Sequence, residues 1–140
     1  MRLAFEGTYQ AYNYRDVVGP LECWNVGQVT DMSGMFEESD FNLNIETWDV
    51  SSVTDMSSMF VYASEFNQPL NEWNVEKVTD MSRTFNTGDY SYFNQPLGSW
   101  DTSRVKDMTL MFEYGSFNQN IDTWDVSNVE TMNGMFSRAY

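Results

Sequence analysis

Tryptophan returns at positions 24, 48, 73, 100 and 124, at intervals of 24, 25, 27 and 24 residues, and each return heads the same block of sequence. A period of this length marks stacked units, none of which can bury its apolar side alone. With Trp48 as reference, the block reads W-[DN]-V-S-x-V-T-D-M-S-x-M-F, then a gap of variable length, then F-N-Q-x-[IL]. Five copies align on it.

The alignment sorts the residues into columns. Val29, Val53, Val78, Val105 and Val129 form one, and Met32, Met56, Met81, Met108 and Met132 the next. Phe36, Phe60, Phe85, Phe112 and Phe136 form a third, Phe41, Phe66, Phe93 and Phe117 a fourth, and Ile45, Leu70, Leu97 and Ile121 close each copy. Burial of such side chains contributes roughly 1.5–3 kcal/mol each, so stacking of copy on copy is the dominant stabilising force. The spacing V-x-x-V-x-x-M-x-x-M-F follows neither a long helical period nor strict alternation. It predicts short parallel strands on V-T-D-M and F-N-Q-x-[IL], about 4.8 Å apart between copies. Ser33, Ser57, Ser82, Thr109 and Asn133 share one column and carry side chains suited to cap a helix, so a single α or 3-10 turn is expected to begin there in each copy. The expected fold class is a leucine-rich-repeat-like solenoid of about five coils. Its expected organisation is an N-terminal cap over 1–16, rich in tyrosine, and one solenoid domain over 17–140.

These blocks resemble the bacterial surface-protein repeat of about 26 residues found in mycoplasmal lipoproteins and Listeria-type surface proteins, a relative of BspA-like leucine-rich repeats. The resemblance covers about residues 17–140, with Val17-Val18-Gly19-Pro20-Leu21 as a degenerate F-N-Q-P-L. It implies a cell-surface or extracellular interaction or adhesion module. The start of the sequence, Met1-Arg-Leu-Ala-Phe-Glu-Gly7, is too polar for a signal peptide, and no stretch approaches a membrane span.

Charge narrows the partners. Twenty-one acids against seven bases give a net charge of −14, which repels nucleic-acid phosphates and anionic lipid surfaces. Residues 16–76 hold twelve acids and no Lys or Arg, so a cationic partner is expected on the N-terminal half. Cys23 stands alone, which excludes an intramolecular disulfide and a cysteine-based metal site.

Most polar columns have a structural reading. Asp31, Asp55, Asp80 and Asp107 form a row expected to accept turn hydrogen bonds, with a calcium-binding edge as the sharper alternative. Asn42, Asn67, Asn94 and Asn118 are expected to form a ladder that satisfies backbone groups of adjacent coils, and Asn25, Asp49, Asn74, Asp101 and Asp125 to make Asx turns. The tryptophans resemble a sugar-stacking row, yet they run in phase with the core columns. There is no histidine, no Gly-rich phosphate loop, and no carboxylate pair that departs from the repeat. No enzyme activity, cofactor or metal is therefore expected.

Binding is expected where the copies differ. Gln28, Ser52, Lys77, Arg104 and Asn128 occupy one such column, beside Thr30, Thr54, Thr79, Lys106 and Glu130. The longest gap, Asn86–Tyr92, adds Tyr90 and Tyr92. The reading is a module that binds a protein or glycan partner, with Lys77, Arg104 and Lys106 as a basic end. The alternative is a structural subunit, assembled through an open apolar coil at Met135-Phe136-Ser-Arg-Ala-Tyr140 or through the tyrosines.

Overall fold

The computed structural model describes residues 24–88 and 91–140. We number the copies 1 to 5 from Trp24, Trp48, Trp73, Trp100 and Trp124. The expected cap over 1–16, the degenerate motif at 17–21 and Cys23 lie outside the described residues.

Each copy is a succession of tight turns. Behind every tryptophan, the side-chain oxygen of Asn25, Asp49, Asn74, Asp101 or Asp125 accepts the N–H two residues on, at 2.9 to 3.3 Å. A second Asx turn follows, in which Asp31, Asp55, Asp80 and Asp107 accept the N–H of Ser33, Ser57, Ser82 and Thr109. Main-chain bonds from residue i+3 back to residue i then run through the M-S-x-M-F block, as in Met59 N–H to Met56 and Val61 N–H to Ser58.

These turns do not merge into a helix, because left-handed residues interrupt them. Gly34, Ser58, Arg83, Leu110 and Gly134 occupy one column with φ between +55° and +63°. Glu38, Tyr62, Tyr114 and Arg138 lie four residues further on in the same conformation. A right-handed helix cannot pass such residues. The expected class is accordingly corrected: among the described residues there is no helix and no strand, so this is not a leucine-rich-repeat-like solenoid of short strands and helical turns. In place of a sheet stand isolated parallel bridges at Asp31, Asp55, Asp80, Asp107 and Thr131. The Ser/Thr column does not cap helices either; its N–H groups close the Asx turns on the preceding aspartates.

Copy joins copy through other means. Thr54 N–H donates back to Thr30 at 2.8 Å, while Met56, Ser58, Phe60 and Tyr62 N–H donate forward to Asp80, Ser82, Thr84 and Asn86. At the expected F-N-Q strand, side chains replace main-chain carbonyls. Asn42, Asn67 and Asn94 Oδ1 accept the N–H of Asn67, Asn94 and Asn118 at 3.1, 3.1 and 2.8 Å. The same three oxygens also accept Nε2 of Gln68, Gln95 and Gln119. The expected asparagine ladder is present.

The core is a double file of phenylalanines. Ring centroids of Phe36, Phe60, Phe85, Phe112 and Phe136 follow one another at 5.4 to 5.6 Å. Each of the first four also stacks at 3.8 to 4.1 Å on the Phe that opens the F-N-Q block of its own copy. The Val column, the Met column as far as Met108, and the closing Ile and Leu residues pack around this file. The tryptophans belong to the same core: Trp48, Trp73, Trp100 and Trp124 are buried. The indole N–H of Trp73, Trp100 and Trp124, at the heads of copies 3, 4 and 5, donates to the carbonyl of Ile45, Leu70 and Leu97 near the ends of copies 1, 2 and 3. They tie copies together and are not a sugar-stacking row.

Candidate functional site

The turn chemistry decides which side chains are left for a partner. Asp31, Asp49, Asp101 and Asp125 have their carboxyl pKa lowered, first by the hydroxyl of the Ser two residues on and then by its N–H. These acids hold turns as anions. Among the described residues no group of three or more His, Cys, Asp or Glu is placed to hold a metal ion. The aspartate row does what its structural reading expects, each member accepting a turn N–H.

The copy-specific column is mostly at the surface. Gln28, Lys77, Arg104, Lys106 and Asn128 are exposed and Ser52 is half-buried. Register brings neighbours together: Lys106 N–H donates to Thr79 and Glu130 N–H to Lys106, both at 2.8 Å. Asn128 Nδ2 reaches Ser103 O in copy 4 at 2.7 Å, and Gln28 Nε2 bonds Gly27 O. The basic end, however, is compensated in part. Lys106 Nζ pairs with Glu130 at 3.2 Å. Lys77 contributes to lowering the pKa of Asp49, and Arg104 to that of Asp101, in each case behind the serine bonds. Of the three cations that read as one patch, Lys106 is ion-paired.

Two further exposed aromatic residues stand outside the copy-specific column: Tyr92, expected from the sequence, and Tyr62, which the sequence reading missed. Tyr62 and Tyr92 are 59% and 60% exposed, whereas the stacked rings Phe60, Phe66, Phe85, Phe93 and Phe112 are buried. Tyr62 projects from its left-handed backbone, and its ring lies against Gly88, where a Cβ would meet Tyr62 Cδ1 at 2.9 Å. Gly88 itself has φ +81°, so the residue is required both for its backbone and for its lack of a side chain. Tyr92 N–H donates to Ser64 O at 3.3 Å, which fixes the return of the longest gap at Ser64. Among the described residues of that gap, buried polar side chains bond one another or the next copy: Thr87 bonds Ser91, and Asn86 Nδ2 donates to Glu113 Oε2 at 3.0 Å. Tyr90, the other tyrosine singled out from the sequence, lies outside the described residues. Two copies on, Tyr114 carries Arg138 over its ring, guanidinium carbon to centroid 5.0 Å. The available signal for Tyr62 was its offset: it follows Phe60 by two residues, as Tyr114 follows Phe112.

Among the described residues no helix is long and apolar enough to cross a membrane. No curated protein and no solved structure matches the chain. Two overlapping segments, residues 1–114 and 87–140, match the model of the family described as Mycoplasma protein of unknown function, DUF285, and the chain belongs to that family.

Proposed function

We propose that the chain is a non-catalytic protein-interaction or adhesion module, in which a repeated scaffold carries a small set of copy-specific side chains to a partner. One observation carries the reading: the repeated acids and amides are engaged in turns and ladders, whereas the exposed residues Lys77, Arg104, Tyr62 and Tyr92 differ from copy to copy. Kinship with the 26-residue repeats of bacterial surface proteins and with BspA-like proteins belongs to the same proposal, as does a place at the cell surface. Its support is the recurring W-[DN]-V-S-x-V-T-D-M-S-x-M-F block.

The test is affinity capture from the native source, followed by titration of the recovered partner against variants. Reversal of Lys77 and Arg104 to Glu, or loss of Tyr62 and Tyr92, is expected to weaken binding, and Asp49→Asn is expected to leave it intact. Hydrolysis of any member of a glycan panel, abolished by Asp55→Asn or Asp80→Asn, would replace the module by an enzyme.

A second reading, a structural subunit, draws on the last copy. Val126, Met132 and Phe136 are 46%, 44% and 46% exposed, although their columns are closed in the middle copies. Sedimentation over a wide concentration range tests it: association that Phe136→Asp abolishes favours the subunit, and a monomer at the highest concentration removes it.

A further inference from the structure

Copies 1 to 4 each close an aromatic pair that copy 5 offers only by half. In the first four, the Phe that opens F-N-Q-x-[IL] stacks on the Phe of the preceding M-F element. Copy 5 contributes Phe136 and runs on to Tyr140, the place just before that block. Among the described residues Phe136 meets one ring, Phe112, and it is 46% exposed, whereas its four column mates are buried. The backbone nevertheless keeps register up to this place. Tyr140 N–H donates to Gly115 O, two residues before Phe117, as Tyr92 N–H, directly before Phe93, donates to Ser64 O, two residues before Phe66.

Copy 4 carries the groups that such a block would meet, in the matching order. Each F-N-Q Phe stacks on the one a copy before it, as Phe117 does on Phe93. Asn42, Asn67 and Asn94 Oδ1 each accept two donors from the next block, the Asn N–H and Gln Nε2. Nothing among the described residues donates to Asn118 Oδ1, and Asn118 is exposed. Ile45, Leu70 and Leu97 are fully buried, whereas Ile121, the last of that column, is half-buried. One face thus joins an aromatic platform, a double acceptor and an aliphatic wall at the spacing of Phe, Asn-Gln and Leu.

We infer that Phe136, Phe117, Asn118 and Ile121 form a docking site for a partner segment of the chemistry Phe-Asn-Gln-x-Leu, laid along copy 4 as the repeat's own block is laid along the copy before it. The stacked ring anchors the segment, and main-chain and side-chain amides on one oxygen fix its register. The site rests on the interaction-module reading and gives that module one partner class. It needs neither Lys77 nor Arg104.

The experiment is a fluorescence-anisotropy titration of the full chain with a labelled peptide of residues 66–71, Phe-Asn-Gln-Pro-Leu-Asn, which is uncharged. A scrambled peptide and one with Ala in place of Phe serve as controls, and neither is expected to bind. Phe136→Ala is expected to abolish binding. Asn118→Ala removes the acceptor of two bonds and is expected to weaken the peptide about tenfold. Its thermal midpoint should stay unchanged, because that oxygen takes no bond from the described residues of the chain. Asn67→Ala is expected to do the reverse, lowering the midpoint without changing affinity. Joining Phe-Asn-Gln-Pro-Leu directly after Tyr140 should raise the midpoint and shut out the free peptide. Absence of binding, equal binding of the scrambled peptide, or equal affinity of wild type and Asn118→Ala would overturn the site. A captured native partner that is lost on reversing Lys77 and Arg104 would leave the module standing even where the peptide result removes the site.

Discussion

Replacing Arg83 by glycine should stabilise this protein relative to replacing it by alanine, the reverse of the order found in helices and strands. Arg83 is exposed, so neither change removes core packing. Its φ of +55° is the deciding quantity. An L-residue held there costs roughly 1–2 kcal/mol, which alanine keeps and glycine relieves. Glycine in turn adds unfolded-chain entropy worth about 0.4–1 kcal/mol. The balance favours glycine by about 0.5–1 kcal/mol, or roughly 2–4 °C in the thermal midpoint for a domain of this size. The same column already holds Gly34 and Gly134 in copies 1 and 5, at φ +60° and +63°. The assay is calorimetry of Arg83→Ala and Arg83→Gly side by side, since both variants lose the same charge. If Arg83→Ala proves the more stable, the left-handed column is wrong, and a helical turn through Met81–Phe85 regains its place.

Asn67→Ala removes the oxygen that accepts both Asn94 N–H and Gln95 Nε2, and a loss of about 1–2 kcal/mol is expected in urea unfolding. Asn67→Asp keeps an acceptor there, and an equal loss for it would refute the ladder. Phe60 is fully buried and stacks on Phe36, Phe66 and Phe85, so Phe60→Ala should cost about 3–5 kcal/mol. The triple change Asp49, Asp101 and Asp125 to Asn keeps the turn acceptor but removes the titration. Those carboxyls have lowered folded pKa values, so their contribution is complete above the ordinary value of 3.8 and is lost as pH falls through the folded values. The stability difference between wild type and triple variant should therefore be flat above about pH 5 and shrink below about pH 4. A difference that stays constant into strong acid would refute the Asx role.

The core was legible because burial acts on every copy at the same phase. A column such as Phe36 to Phe136 can be apolar throughout only if each ring meets the next. The Asx turns and the asparagine ladder were legible for the same reason, since Asp49 or Asn67 makes one bond that recurs with the period. The secondary structure was not. Asp-Met-Ser fits an Asx turn and a helix cap equally well, and what separates them is the residue after the serine. That column reads Gly34, Ser58, Arg83, Leu110 and Gly134, and only its two ends carry the glycine that announces a left-handed backbone. The site was half legible. Lys106 and Glu130 occupy one column in adjacent copies, so their pairing follows from register; reading down a column for repeated types conceals pairs formed across it. Tyr62 lies at a fixed offset of two from Phe60, but its column reads Glu38, Tyr62, Thr87, Tyr114 and Arg138, so no shared residue type draws attention to it.

The left-handed columns also give each copy a direction. Past the bridge at Asp55, the N–H groups of Met56, Ser58, Phe60 and Tyr62 all point to copy 3, while the carbonyls of Asp55, Ser57, Met59 and Val61 all accept from copy 1. A strand in a parallel sheet both donates to and accepts from each neighbour; here donors and acceptors are separated onto opposite edges. In copy 5 the N–H groups of Met132, Gly134, Phe136 and Arg138 stand in the same row, and none donates to a carbonyl among the described residues. Along this row two such edges present donors to donors, and the acceptor on the same side is the Glu130 carbonyl, the counterpart of the Thr30, Thr54, Thr79 and Lys106 carbonyls that accept from the next copy. Association through the row of donors is therefore expected to be head to tail, against a row of carbonyls, and a heterologous contact of that kind does not close at two subunits. A discrete symmetric dimer that Phe136→Asp dissociates would contradict this polarity, whereas a mass that keeps growing with concentration is what it requires.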